Sequence, residues 1–416
     1  MIYQTLGGSP LRGSVRIGGC KNAVLPILFA TLLTRGKSRL YGVPSITDVD
    51  TTLSILEAFG AEISRPEEHT LEIDTTHLDY VTPNVASVRA IRASTYLIGA
   101  CLGRFGRAEL SDFGGCDFCK RPIDLHLMAA EAFGAKIDGN QIECKRLLAN
   151  HVVFPIVSVG ATVNSLLLSS QIPELSVLEN VAIEPHVFSL ITFLRIAGAS
   201  ISIATTPRPT FFVRGGRLRG VTMHMIPDMI EAGTYLLAAF ISGGTVTTEG
   251  IDPSHLRSFF ALMRDVGADL TIEEHRATLS RTTPMREASI TCAPFPGIPT
   301  DLSPILAAAL ARCGKGRLCD TVFPDRRSFL SPYRALGANC VEREDGTILF
   351  TAPDPVRETT LTVPDLRCGA GMILYALSLS TPIEIIDDHQ WILRGYEDFT
   401  MKINALEANV SVVTRS

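Results

Sequence analysis

The stretch "FGGCDFCKRPIDLH", Phe113 to His126, packs two glycines, two cysteines three apart, a Lys-Arg pair and an Asp-x-His into fourteen residues. Two chemistries fit it. Cys116 and Cys119 could hold a metal or cycle as a redox pair. Alternatively, the loop carries one reactive thiol beside Lys120 and Arg121, whose charges favour the thiolate. Further chargeable residues open apolar segments elsewhere: Lys21 with Asn22, Arg92, Ser158 to Thr162, Asp228 with Glu231, Asp301, and Asp365 with Arg367. A helix N-terminus offers unpaired N–H groups and the positive end of a dipole, so anions are drawn there, and cations beside it strengthen the attraction. One such charge is an ordinary cap or surface pair. Its recurrence at successive helix starts points to an anion site.

The elements that position these residues are repeated. "EAFGAEI" (Glu57), "EAFGAKI" (Glu131), "RIAGASI" (Arg195), "RDVGADL" (Arg264) and "RALGANC" (Arg334) each join a helix end, a Gly-Ala and a strand start. "NALEANV" at Asn404 is a sixth copy with Glu407 in place of glycine, and the copies lie about 70 residues apart. Glycine just past a helix supplies the left-handed cap that other residues adopt at a cost. An interleaved series is apolar almost all round, marking buried helices: segments beginning at Asn22, Ala93, Gly160, Ala232, Asp301 and Gly369. The unit reads as buried helix, strand, outer helix, Gly-Ala, strand. Repeats of this size exceed solenoid periods and favour two globular halves of three units each. The expected fold class is therefore α/β, with three buried helices inside each half and sheets outside. Residues 19–227 make the first domain, and 1–18 plus 228–416 the second, the N-terminal strand completing the later half. Two chain crossings and a hinged cleft follow.

Composition bounds the function. A chain of 416 residues that is 46% hydrophobic can bury a large core. A net charge of −5 argues against a general nucleic-acid binder, whose affinity comes from clustered Lys and Arg. "RGGRLRG" at Arg214 to Gly220 reads as a solvated strand end. The N-terminus shows no secretory h-region, so the cytosol is the expected compartment. Val152 to Pro173 is uncharged, but Pro155, Gly160, Asn164 and three further polar residues interrupt it, giving a buried loop-helix-loop and no membrane span. The ten irregularly spaced cysteines read as reduced thiols. Trp391, Tyr375 and Tyr396 read as packing residues.

"GGCKNAVLPILFATLL", "IRASTYLIGA", "GGCDFCKRPIDLH", "SVGAT", "ENVAIEP", "IPDMIEAGTYL", "IPTDL", "TVFPDR", "PDLR" and "RGYED" occur in the order seen in UDP-N-acetylglucosamine enolpyruvyl transferases, which this chain resembles along its whole length. The superfamily also contains the shikimate-pathway enolpyruvyl transferase. The resemblance implies a two-domain inside-out α/β barrel with three repeated units per domain. It implies transfer of enolpyruvate from phosphoenolpyruvate to a sugar hydroxyl with release of phosphate, with no metal and no organic cofactor.

Residue-for-residue match places Lys21, Arg121 and Arg394 at the phosphate of phosphoenolpyruvate, with Asn22 beside them, and Arg326 with Arg367 at its carboxylate. Arginine suits both groups because its planar fork binds bidentately. The five cations come from both halves, so the expected site forms on closure. Asp301 matches the residue at the accepting hydroxyl and is the candidate base, a helix cap being its alternative role. Cys116 matches the family's loop cysteine, which resembles a general acid and is alkylated by epoxide inhibitors such as fosfomycin. A zinc site normally takes four ligands and the chain has no second C-x-x-C, while a redox pair would open a helix rather than run on into "KRPIDLH". Cys119 is spare and could pair with Cys116 under oxidation.

For the acceptor, the resemblance assigns the uridine to Arg121, Pro122, Ile123, Asp124, Leu125 and His126. It assigns the diphosphate to Ser158, Val159 and Gly160, and the sugar to Asn22, Arg92, Asp301 and Val322. His126 taken alone is equally an ordinary loop histidine. Two positions depart from the family: Ile156 stands where a diphosphate-contacting lysine is usual, and Met229 where arginine is usual. The leading expectation is a UDP-N-acetylglucosamine enolpyruvyl transferase, monomeric or weakly self-associating. The alternatives are transfer to another uridine nucleotide such as UMP, and a catalytically silent nucleotide-binding paralogue.

Overall fold

A segment such as "MIEAGTYLLAAFI" has no polar face to turn toward water, so it forms a stable helix only with protein on every side. The computed structural model describes residues 1–110, 114, 122–205 and 207–414. In it every residue from Met229 to Ile241 is buried. Six helices share this character: α1 (Lys21–Thr31), α2 (Leu97–Phe105), α3 (Val159–Ser169), α4 (Met229–Ser242), α5 (Ser303–Cys313) and α6 (Leu366–Leu377). The helices between them are amphipathic. Arg257–Asp265, for example, buries Phe259, Phe260 and Met263 and leaves its charged side outward. No helix among the described residues is long and apolar enough to cross a membrane.

The chain divides into two compact units, with boundaries at Gly18/Gly19 and Ile226/Pro227. In the unit that combines the first eighteen residues with the chain from Pro227 onward, α4, α5 and α6 each pack on the other two. Three four-stranded sheets accompany them, all with one strand order: a parallel pair followed by two antiparallel neighbours. One runs Arg12–Arg16, Thr245–Glu249, Arg276–Ser280, Asp269–Ile272. The second runs Ala288–Cys292, Gly316–Asp320, Ile348–Thr351, Asn339–Glu342. The third runs Thr360–Thr362, Ile383–Ile386, Ile2–Thr5, Val410–Val413. The first eighteen residues thus supply two strands to two different sheets, where the sequence suggested one.

In the unit from Gly19 to Ile226, α2 packs on α1 and α3, and α1 packs closely on the outer helix Pro185–Ala197. Thr222–His224, Lys37–Tyr41, Thr70–Asp74 and Glu62–Ser64 repeat the same order, as do His151–Val153, Ser176–Glu179, Thr210–Arg214 and Ser200–Ala204. Arg107–Glu109, Gln141–Glu143 and Lys136–Asp138 form a sheet of three strands among the described residues. "RGGRLRG" is not a solvated end: Leu218 is buried and pairs in parallel with Thr34, because the strand edge needs a partner there.

The repeated glycines Gly60, Gly134, Gly198, Gly267 and Gly337 all have φ between +94° and +122°. Glu407 takes φ +61° at the sixth copy despite its side chain. The turn geometry is therefore set by the repeat, and five of six copies carry the residue that adopts it without strain.

Candidate active site

Asp301 lies in a 3-10 turn, Thr300–Leu302, that leads into α5 with Pro304 in its first turn, where a missing N–H costs nothing. Two arginines meet it. Arg367 is the second residue of α6, and its Nη2 donates to Asp301 Oδ2 at 3.1 Å. Arg326 follows the strand Gly316–Asp320; its Nη1 donates to Thr300 O at 2.9 Å and lies 3.6 Å from Asp301 Oδ1. Both arginines are almost wholly buried, at 1% and 2% exposure. Asp365 caps α6 through the backbone N–H groups of Arg367 and Cys368, accepts from Ser328, and stands 3.9 Å from Arg326 Nη2.

The Arg367 guanidinium lies 5.1 Å over the Tyr396 ring. Burial works against its charge, but Tyr396, Asp301 and Asp228 more than offset this and raise its pKa above the ordinary arginine value. Its Nε and Nη1 are buried without a hydrogen-bond partner among the described residues. Unmatched N–H groups on a buried cation are costly, and each lies beside Nη2 on one edge of the guanidinium, so an anion taken bidentately there must share Nη2 with Asp301. Arg394 ends a separate 3-10 turn, Ile392–Arg394, and stacks 4.9 Å over Trp391. Tyr396 and Trp391, read from the sequence as packing, are platforms for two of the cations.

The structure separates caps from ion pairs among the charged helix starts. Asp228 is a cap, accepting from Ile230 N and Glu231 N. Glu231 is buried beside Lys402 Nζ at 2.7 Å and accepts from Gly18 N at 2.8 Å. Burial lifts its pKa to about 7, against the pull of Lys402. Asp301 pairs with arginines instead of capping.

In the other unit, Lys21 opens α1 with its Nζ 2.7 Å from Asp48 Oδ2, both side chains nearly buried, and Asn22 follows it. Arg92 opens the 3-10 turn before α2. Ser158 caps α3 by accepting from Ala161 N, so Val159 and Gly160 form its first turn. Asp124 opens the helix Asp124–Ala132 with its side chain exposed; Pro122 is exposed and Ile123 and Leu125 are half-buried.

His126 is not a loop residue. It sits on that helix at 5% exposure, and Asn164 Nδ2 contacts its Nδ1 at 2.6 Å. Asn164 Oδ1 accepts from Gly99 N and its Nδ2 also donates to Thr95 O, which fixes the amide. His126 Nδ1 must then accept, so the ring is neutral with its proton on Nε2. Burial, helped by the Arg92 charge, depresses its pKa to about 4. A Cβ on Gly160 would meet the His126 ring at 2.7 Å, so the ring packs against the first turn of α3. Cys116, Cys119, Lys120 and Arg121 lie outside the described residues. The eight described cysteines form no disulfide with one another.

The structure therefore joins Asp301, Arg326 and Arg367, with Val322 in the turn before Arg326, and separately joins Ser158–Gly160 to His126. Asp48, Asn164 and Asp320 were not anticipated. Asn164 had a signal, since a lone amide inside "ATVNSLLL" requires buried partners; Asp48 in "SITDVD" looked like a solvated helix start.

The EPSP synthase (3-phosphoshikimate 1-carboxyvinyltransferase) family matches residues 6–403 of this chain. The chain belongs to that family. It is 35% identical to UDP-N-acetylglucosamine 1-carboxyvinyltransferase 1 of Streptococcus agalactiae over 98% of both chains. It is also 35% identical to UDP-N-acetylglucosamine 1-carboxyvinyltransferase of Clostridium botulinum, over 97% of this chain and 98% of the relative. Among solved structures, the enolpyruvyl transferase NikO from Streptomyces tendae superposes with TM-score 0.88 at 24% identity, covering 99% of this chain and 98% of that one. EPSP synthase from Acinetobacter baumannii gives 0.72 at 18% identity, over 99% of this chain and all of the other. The mixed α/β fold described above is thus that of the EPSP synthase family, with Asp301 and Arg367 at the starts of two buried helices and Arg326 in the turn beside them.

Proposed function

We propose that this enzyme transfers enolpyruvate from phosphoenolpyruvate to the 3-hydroxyl of UDP-N-acetylglucosamine and releases phosphate, the first committed step of peptidoglycan precursor synthesis. The observation that carries the chemistry is Asp301 held against two buried arginines, one of them with two unmatched N–H donors. The full-length relatives at about 35% identity carry the choice of acceptor.

Arg326 and Arg367 take the substrate carboxylate. That anion competes with Asp301 for their N–H groups and leaves the Asp301 oxygens to accept the proton of the attacking hydroxyl. The new C–O bond forms at the phosphate-bearing carbon while the methylene gains a proton, for which Cys116 is the donor. Loss of a proton from the resulting methyl then expels phosphate and restores the double bond. Lys21, Arg121 and Arg394, with Asn22, hold the phosphate. Arg92, Arg121 to His126, Ser158 to Gly160, Asp301 and Val322 serve the nucleotide sugar. We read the repeated units as two three-unit inside-out barrels, helices inside and sheets outside. The enzyme acts in the cytoplasm on soluble substrates.

A second reading, transfer to another uridine nucleotide such as UMP, draws on Ile156, which is 65% exposed two residues before the Ser158 cap and brings no charge for a diphosphate. Phosphate release with phosphoenolpyruvate and a panel of uridine nucleotides separates the two. Turnover with UDP-N-acetylglucosamine is expected; strong turnover with UMP and none with the nucleotide sugar reverses the order. Cys116→Asp is expected to resist epoxide inactivation, checked by mass spectrometry of the treated protein. Undiminished alkylation would assign the reactive thiol elsewhere, Cys119 first.

A further inference from the structure

Asp320, at the end of the strand Gly316–Asp320, is buried to 5% exposure and has no role in the chemistry above. Its two oxygens hold three donors. Oδ1 accepts from Val322 N and Phe323 N, both at 3.0 Å, closing the turn that leads to Arg326. Oδ2 accepts the Thr300 hydroxyl at 2.6 Å. Thr300 directly precedes Asp301, and its carbonyl receives Arg326 Nη1 at 2.9 Å. Phe323 O receives Arg326 N at 3.0 Å, which completes a ring. One carboxylate therefore ties the short turn bearing Asp301 to the turn bearing Val322 and Arg326. Arg326 joins the two turns a second time, through Thr300 O.

We propose that Asp320 is a positioning residue that sets the angle between the Asp301 carboxylate and the Arg326 guanidinium, acting through the Thr300 hydroxyl. This rests on the reading of Asp301 as base and Arg326 as carboxylate ligand. A three-residue 3-10 turn has little stiffness of its own, so a charged hydrogen bond is what holds Asp301 in register. Catalytic groups displaced by a fraction of an ångström lose rate before they lose binding.

Truncating Asp320 itself would strand buried backbone donors, so the discriminating variant is Thr300→Val, which removes the hydroxyl at nearly constant volume. We expect Thr300→Val to lower kcat about tenfold, the worth of one charged hydrogen bond. KM for the nucleotide should stay within about twofold, and the acid limb of the kcat–pH profile should move. The thermal midpoint should fall by no more than about 4 °C. Thr300→Ser, which restores the hydroxyl, should recover kcat to within about threefold of the parent. Asp320→Asn should lower kcat like Thr300→Val. Thr300→Val equal to the parent in kcat and pH profile would overturn the inference, as would an equal loss in Thr300→Ser. No turnover by the unmutated enzyme with any uridine nucleotide would overturn the functional reading and this inference with it. Parent turnover matched by Thr300→Val would overturn this inference alone.

Discussion

Arg367 carries two buried N–H groups that nothing among the described residues accepts, and this decides what its replacement should do. Arg367→Lys keeps a charge but loses the planar fork and the stacking over Tyr396, so KM for phosphoenolpyruvate should rise by about 10-fold or more in steady-state phosphate-release assays. An unchanged KM would remove Arg367 from the carboxylate site. His126 makes a prediction of different kind. Its pKa falls from 6.5 to about 4, so between those values the unfolded chain binds more protons than the folded one. Stability from its burial is present above pH 6.5 and is lost as pH falls toward 4, by about 3 kcal/mol at most. His126→Gln should flatten that part of the pH dependence in urea unfolding. An identical slope in mutant and parent would mean that the ring is protonated in the fold.

The repeated helix-to-strand turn offers a test at the scale of the element. At Gly337 an added Cβ would sit 2.4 Å from Asp354 O, whereas at Gly267 the nearest atom is 3.6 Å away, on a flexible arginine. Both positions share the left-handed backbone, so alanine at Gly267 should cost about 1 to 2 kcal/mol, and Gly337→Ala clearly more because backbone must move. Glu407 occupies the same turn with a side chain, and Glu407→Gly should be neutral to stabilising by up to about 1 kcal/mol. Chemical denaturation of the three variants checks the ranking. Equal losses at Gly267 and Gly337 would mean that the close approach to Asp354 relaxes freely. The turns were legible in the sequence because a backbone conformation that only glycine adopts cheaply leaves glycine behind in five copies.

At the scale of the whole molecule, each unit owns its described sheets, but one of them draws its strands from both ends of the chain. Residues 19–226 contain every strand of their described sheets, while 227–416 lack Ile2–Thr5 and Arg12–Arg16. The first of these lies between Ile383–Ile386 and Val410–Val413, and the segment buries Tyr3, Leu11 and Val15. Each such side chain is worth about 1.5 to 3 kcal/mol, together comparable with the margin of a whole domain. We expect the fragment 19–226 to unfold cooperatively in urea by circular dichroism, the fragment 227–416 to show no cooperative transition, and its fusion to residues 1–18 to regain one. Cooperative unfolding of 227–416 alone would refute this. The sequence by itself determined the repeating unit, the family and the roster of charged residues at helix starts. Each of those is written locally, in apolar periodicity, in glycine and in ordered motifs. Only the tertiary structure decided that Asp228 and Asp365 are caps while Asp301 faces two arginines, that His126 is buried against Asn164, and that Asp320 brackets the Asp301 turn. An aspartate is the same letter in every one of those settings. Its role is set by distances between groups tens of residues apart, and these exist only once the helices have packed.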